Sequence, residues 1–202
     1  GPAKESCTSD GASPLIIAAQ SGHSSVARLL CEKSADVNKA MDGGITPLCV
    51  AAHRGDAEMA RVLCDAAADV LLSEDTGATP LLLASQSGHL KVANLLLEMM
   101  ADPGEATAQG ATPLLMASQG GFAPVVKALL QNGALANQPT EDGTSPLFLA
   151  AEAGHAMTTI VLLDARADID CATEDGATAL AVAESRGHRP IVEMLRRAGA
   201  SA

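Results

Sequence analysis

The sequence predicts an all-α repeat solenoid, a stack of helix-turn-helix units joined by hairpin-like connections. Three observations predict it. One unit recurs six times at a spacing of 33 residues without an insertion. The 202 residues are 48% hydrophobic but include no Trp, no Tyr and two Phe, so the core must be packed from small aliphatic side chains. Each unit also carries the start and stop signals of two short helices, which are unstable in water unless they are stacked.

The first helix of each unit is predicted from a hydroxyl residue that can cap it, followed by a proline that suits the first turn. Five units have proline at this position and the last unit has alanine: Pro14, Pro47, Pro80, Pro113, Pro146 and Ala179. The capping residues are Ser13, Thr46, Thr79, Thr112, Ser145 and Thr178. A small residue lies four positions after each proline position: Ala18, Ala51, Ala84, Ala117, Ala150 and Ala183. Because helices approach closely only over small side chains, these alanines predict the contact line between units.

A glycine turn and a second helix follow the first helix in every unit. The second helix is predicted from apolar residues at helical spacing, such as Val92, Leu95 and Leu96. Every unit has a leucine sixteen residues after its proline position: Leu30, Leu63, Leu96, Leu129, Leu162 and Leu195. Polar, glycine-marked stretches between units predict hairpin-like connections.

These motifs resemble ankyrin repeats. The resemblance is carried by Asp75-Thr76-Gly77-Ala78-Thr79-Pro80-Leu81, by Gly88-His89 and by Ala35-Asp36-Val37-Asn38, and it extends from about Ser9 to Ala200. It implies six tandem repeats, each with two antiparallel helices and a projecting β-hairpin finger, stacked into a curved solenoid with one shared core.

The repeats predict a single domain over residues 9–202. Their bounds are approximately 9–40, 41–73, 74–106, 107–139, 140–172 and 173–202. The last repeat is expected to be a C-terminal cap, because Glu184 and Arg196 replace small and apolar residues of the inner repeats. Residues 1–8 are interpreted as an N-terminal tail in which Gly1-Pro2 is a scar left by removal of a tag.

Two departures from the family pattern affect local structure. The histidine that usually follows the proline by two residues is missing, so the turn must rely on the Ser or Thr cap and on packing. Glycine usually ends the second helix, but four repeats have Ser34, Ala67, Met100 and Arg166 there. A non-glycine residue with positive φ costs about 1 kcal/mol of backbone strain. These helix ends are therefore expected to be locally unstable or to adopt a different type of turn.

No catalytic, cofactor or metal site is predicted. His23, His89, His155 and His188 occupy the glycine turns and are interpreted as structural residues. The sequence has no phosphate-binding loop, no nucleophile motif and no Cys or His pair at metal-ligand spacing. We therefore expect a protein that is not an enzyme and that uses no cofactor.

Composition limits the partners. A net charge of −11 and a pI near 4.7 disfavour nucleic acid and favour a basic protein segment. No apolar run is long enough to span a membrane, so a membrane partner is not expected. Five cysteines without a metal or redox motif indicate a reducing, intracellular compartment, the cytoplasm with the nucleus left open. We expect a monomer.

The resemblance implies a protein-interaction module that binds a protein or an extended peptide on its concave face. Read onto this chain, the implied contact residues are Asp42, Ile45, His53, Arg54, Asp75, Thr76, Gln86, Ser87, Gln109, Gln119, Glu141, Asp142, Thr144 and Glu152. Stacked fingers would also align Glu141, Asp142, Glu174 and Asp175 into an acidic ridge that steers a basic partner. Two alternatives stay open: a rigid spacer or scaffold domain of a larger protein, and an engineered repeat scaffold.

Overall fold

A computed structural model describes residues 7–200, which form twelve α-helices in six pairs. Unit 1, which ends at Asp102, contains α1 (Pro14–Ser21), α2 (Ser24–Glu32), α3 (Pro47–Arg54), α4 (Ala57–Asp65), α5 (Pro80–Gln86) and α6 (Leu90–Glu98). Unit 2, which begins at Pro103, contains α7 (Pro113–Gln119), α8 (Ala123–Gln131), α9 (Pro146–Glu152), α10 (Ala156–Asp164), α11 (Ala179–Arg186) and α12 (Arg189–Ala198). Most of the predicted tail, residues 1–6, lies outside the described residues.

Each compact unit is a stack of three helix pairs. In unit 1, the first helices α1, α3 and α5 pack on one another in order, as do the second helices α2, α4 and α6. In unit 2, α7, α9 and α11 form one layer and α8, α10 and α12 form the other. This confirms the all-α repeat stack, whereas the single domain over residues 9–202 stays a prediction.

The predicted Ser and Thr caps are present at the start of all six first helices. In all six repeats the Ser or Thr hydroxyl accepts a hydrogen bond from the backbone N–H three residues later, at 3.2–3.3 Å. Thr79, for example, caps α5 through the N–H of Leu82. Each cap satisfies one of the donors that the start of a helix leaves unpaired, so the positions of the first helices follow from local sequence.

The predicted core residues are buried. The six alanines of the contact line are all at most 3% exposed, and the leucines of the second helices are fully buried in every repeat except the first, where Leu30 is half-buried. Burial of these leucines contributes roughly 1.5–3 kcal/mol each before the entropy cost of ordering them.

The four residues that stand in place of glycine adopt the left-handed conformation. Their φ angles are +64° at Ser34, +63° at Ala67, +67° at Met100 and +60° at Arg166. Gly133 ends its helix in the same region, with φ of +97°. The backbone strain inferred from the sequence is therefore present, because the four residues adopt the left-handed conformation instead of a different type of turn.

The fingers are tight hairpin turns, each closed by two backbone hydrogen bonds. In the fifth repeat, the N–H of Thr140 donates to the carbonyl of Thr144 at 3.0 Å, and the N–H of Gly143 donates to the carbonyl of Thr140 at 3.0 Å. Between residues 7 and 200 the only β-bridge joins Ala172 and Thr178. The predicted hairpin fingers are thus present as turns whose arms are too short for strand ladders.

The last repeat carries charge where the inner repeats are apolar. Its Arg196 forms an ion pair with Glu184 at 2.7 Å, and both side chains are exposed. None of the helices in the described part of the chain is both long and apolar enough to cross a membrane.

Candidate binding site

Neighbouring fingers are tied together by backbone hydrogen bonds in a constant register. In unit 1, the N–H of Asp42 donates to the carbonyl of Asp10 at 3.0 Å, and the N–H of Asp75 donates to the carbonyl of Gly43 at 2.8 Å. In unit 2, the N–H of Glu174 donates to the carbonyl of Asp142 at 2.9 Å. These bonds join all three fingers of unit 1, and in unit 2 they join the fifth and sixth fingers.

Histidines of the glycine turns also connect neighbouring repeats. The Nε2 atoms of His89, His155 and His188 lie 3.1, 3.0 and 3.0 Å from the carbonyl oxygens of residues 53, 119 and 152 of the preceding repeat. Because a carbonyl oxygen only accepts, each Nε2 carries the proton and donates. The prediction of structural turn residues is confirmed for these three. Their role as bridges between repeats was not predicted.

Unit 1 contains an open groove of about 470 Å³ between its fingers and its first helices, which we call the N-terminal groove. Four predicted contact residues line it: Ile45, His53, Arg54 and Gln86. The remaining lining residues are Gln20, Met41, Cys49, Val50, Glu74 and Leu83.

Charges of both signs meet in the N-terminal groove. Partial burial raises the pKa of Glu74, and the opposing effects of His53 and of the Thr76 hydroxyl are smaller. The Cys49 thiol lies buried beneath them and donates to the carbonyl of Leu72 at 3.6 Å. Burial raises the pKa of this thiol, which disfavours the thiolate form on the groove floor.

Unit 2 contains a second open groove of about 450 Å³, the C-terminal groove. It brings together five predicted contact residues: Gln109, Gln119, Glu141, Asp142 and Thr144. Met116, Leu149 and Thr140 complete the lining. The charged side chains among the lining residues are both carboxylates, and Met116 and Leu149 supply apolar surface between the polar groups.

Hydrogen bonds hold the Asp142 carboxylate in place at the rim of the C-terminal groove. The Thr140 hydroxyl donates to its Oδ1, and the N–H of Thr144 approaches the same oxygen at 3.3 Å. The hydroxyl bond is the main reason that the pKa of Asp142 lies below its ordinary value. The side chain is fully exposed, so its charge faces solvent.

The acidic ridge residues Glu141, Asp142, Glu174 and Asp175 are all exposed. Within the described residues of unit 2, the ion pairs are formed by other carboxylates, those of Glu152, Glu184 and Glu193. The ridge carboxylates thus lie on adjacent fingers and are not neutralised by an ion pair of this unit.

Five predicted contact residues lie outside the two grooves. Asp42 and Asp75 lie at finger turns, and Thr76 accepts the N–H of Ala78 at 3.3 Å. Ser87 is the C-terminal cap of α5. Glu152 forms an ion pair with Arg186 at 2.7 Å, so its carboxylate already has a partner.

The groove floor was missed by the sequence analysis. The position three residues after the proline lines the grooves and supplies Val50, Leu83, Met116 and Leu149. The position six residues before the proline was also missed, and it supplies Met41, Glu74 and Thr140. The sequence signal that could have identified these two positions is that their residue type varies among the repeats.

Among residues 7–200, no group of three or more His, Cys, Asp or Glu side chains is arranged to hold a metal ion. Both grooves are open to solvent, as suits a surface that meets another chain.

A sequence model described as ankyrin repeats in three copies matches the chain in four overlapping stretches, residues 2–74, 38–107, 67–140 and 114–202. A comparison with curated protein sequences found no significant match. The matched stretches include both grooves and all twelve described helices.

Proposed function

The chain belongs to the ankyrin-repeat family, and from this premise we propose that it binds a basic, extended segment of another protein in its C-terminal groove. Ankyrin repeats are generally protein–protein interaction modules and are typically not enzymes. The groove lies on the face shared by fingers and first helices, which the resemblance makes the concave face. Catalysis forms no part of the proposal.

The charge of the C-terminal groove carries the proposal. Its charged lining residues are Glu141 and Asp142, and both are exposed. Glu174 and Asp175 continue the negative surface on the next finger. Aligned unpaired carboxylates raise the local concentration of a cationic partner and increase its association rate, in a manner that salt weakens.

The groove also supplies contacts for an extended backbone. The side-chain amides of Gln109 and Gln119 are exposed and can each donate to and accept from a peptide backbone. Met116 and Leu149 are half-buried between them and offer apolar contact, with methionine able to adapt to different side chains. We propose that lysine or arginine side chains meet the carboxylates while the aliphatic part of the segment lies over Met116 and Leu149.

The N-terminal groove is proposed as a second contact region. Its lining includes Arg54 and His53 as well as Glu74, so its charge is mixed and it favours no single sign of partner. Asp42, Asp75, Thr76 and Ser87 are proposed contacts at its edges, and Glu152 is a proposed contact in unit 2. We further propose that the chain is a monomer, that residues 9–202 act as one domain, and that it works inside the cell.

A charge-matched binding experiment tests the C-terminal groove. The probe is a fluorescent ten-residue peptide of alternating lysine and serine, and its comparator alternates glutamate and serine. The ridge variant combines Glu141→Gln, Asp142→Asn, Glu174→Gln and Asp175→Asn. The control variant makes the same charge change at the last residues of four second helices, Glu32→Gln, Asp65→Asn, Glu98→Gln and Asp164→Asn.

We expect the lysine peptide to bind the unchanged chain, and the ridge variant to bind it about tenfold more weakly, which is about 1.4 kcal/mol. The control variant should lose less than half of that free energy. Equal losses in the two variants would show that net charge, and not the ridge, governs binding. Failure of the unchanged chain to bind the lysine peptide more tightly than the glutamate peptide would favour the spacer alternative.

A further inference from the structure

The first repeat exposes apolar side chains at positions that are more buried in the other repeats. On α2, Val26 is 46% exposed and Leu29 is 54% exposed, and Leu30 beside them is half-buried. The residues equivalent to Val26 in the second, third, fifth and sixth repeats are all buried: Met59, Val92, Thr158 and Ile191. The position of Val26 within the repeat therefore does not by itself explain why this side chain is exposed.

The last repeat shows which neighbour covers this row of residues. Its helix α12 packs against α10 of the preceding repeat and against its own partner α11. Ile191 and Leu195, the equivalents of Val26 and Leu30, are 1% and 0% exposed there. A side chain that is buried in the last repeat of a stack and exposed in the first faces the preceding repeat.

The two ends of the chain differ in chemistry. At the far end, the residues that would face a following repeat include exposed Ala181 and exposed Glu184, which is paired with Arg196. Their equivalents in the first repeat, Ile16 and Ala19, are fully buried. The last repeat thus has the polar end surface of a cap, whereas the N-terminal side of α2 keeps the apolar residues of an inner repeat.

We propose that Val26, Leu29 and Leu30, which we call the α2 end face, form a docking surface for one further helix-turn-helix unit of repeat type, stacked on the N-terminal side. The interface between α2 and α4 shows the fit, because α4 packs on α2 and its equivalent residues Met59 and Leu63 are completely buried. A flat apolar helix face of this spacing matches another helical pair better than an extended segment. The surface is separate from both grooves.

Adding a repeat tests the proposal directly. A copy of residues 41–73 is joined ahead of Thr8, which keeps the 33-residue spacing because Thr8 is the counterpart of Glu74 and Met41. The matched control is the same extension with its copy of Ala52 changed to glutamate, the residue that the last repeat has at that position as Glu184. The measurements are amide hydrogen exchange in α2 and the urea midpoint of unfolding.

In the extended chain we expect the α2 amides to exchange at least tenfold more slowly and the urea midpoint to rise. The extension that carries glutamate should give little of either effect. Equal gains from both extensions would overturn the proposal, because a fit between faces would then not be needed.

A double substitution on α2, made in both the unextended and the extended chain, controls for misfolding of the extension. Val26→Thr with Leu29→Lys should leave the urea midpoint of the unextended chain nearly unchanged, because both side chains are already exposed there. The same pair should abolish the gain in the extended chain. If the unextended chain instead sediments as a dimer that Leu29→Lys dissociates, a second copy is the occupant and the proposal is wrong.

Discussion

The imidazole Nε2 of His155 lies 3.0 Å from the carbonyl oxygen of Gln119, which is 36 residues earlier and belongs to the preceding repeat. The ring lies over Gly121, where an added Cβ would be only 2.5 Å from the Nδ1 atom. Gln119 is at the end of α7 and lines the C-terminal groove. This bond therefore links the stacking of two repeats to the position of a proposed contact residue.

Gly121→Ala should destabilise the chain more than Gly187→Ala. Both glycines have a φ angle near +75°, so alanine costs about 1 kcal/mol of backbone strain at either position. Only Gly121 has the histidine ring against it, whereas nothing lies within 4 Å of a Cβ at Gly187. We expect the difference in the free energy of unfolding, measured in urea, to be at least about 1 kcal/mol. Equal losses would show that the ring moves aside without cost.

Met100→Gly should stabilise the chain by about 1 kcal/mol, because φ is +67° and the side chain is 85% exposed. Little packing is lost with the side chain. The matched control is Met99→Gly next to it, where φ is −86° and glycine should cost about 0.5–1 kcal/mol. The unfolding midpoints should therefore shift in opposite directions, and a loss of stability in both variants would contradict the strain argument.

Ser118→Ala should leave stability unchanged or raise it by up to about 1 kcal/mol. The Ser118 hydroxyl is buried in α7 without a hydrogen-bond partner, and Ala151 holds the same position in the next repeat. Ser145→Ala, in contrast, removes the cap of α9 and should cost about 1 kcal/mol. Thermal unfolding of the two variants distinguishes them, and a loss of 1 kcal/mol or more in Ser118→Ala would reveal a hidden partner.

The Asp142 carboxylate should make stability depend on pH in the acid range. Its pKa is lower in the folded chain than its ordinary value of 3.8, chiefly because of the Thr140 hydroxyl. Its contribution is therefore complete above that ordinary value and is lost as the pH falls through the folded pKa. Thr140→Val should raise the pKa of Asp142, as followed by NMR titration of the side chain. An unchanged titration would show that the hydroxyl bond does not form in solution.

Helix positions and backbone strain were predictable because their causes are local. Thr79 caps α5 through an N–H three residues away, and Met100 replaces a glycine that Gly133 retains at the equivalent position. Each of these features can be read within one repeat, and comparing six copies makes the exceptions visible.

The groove floor and the histidine bridges depend on how one repeat lies on the next. Leu149 and Leu147 are both apolar, but only the register of neighbouring repeats decides that Leu149 lines a groove while Leu147 is buried. Likewise, His155 reaches a carbonyl 36 residues away, a contact that its own turn does not reveal. Relations between repeats are the part that local sequence signals do not specify.

Mapping the contact surface of a basic peptide by NMR tests the central claim most directly. On titration with the peptide of alternating lysine and serine, we expect the largest amide shifts at Gln109, Gln119 and Thr144, which line the C-terminal groove. Residues of the outer helix α8, such as Lys127 and Gln131, should not shift. The largest shifts on α8, or shifts spread evenly over the acidic surface, would contradict binding in the groove.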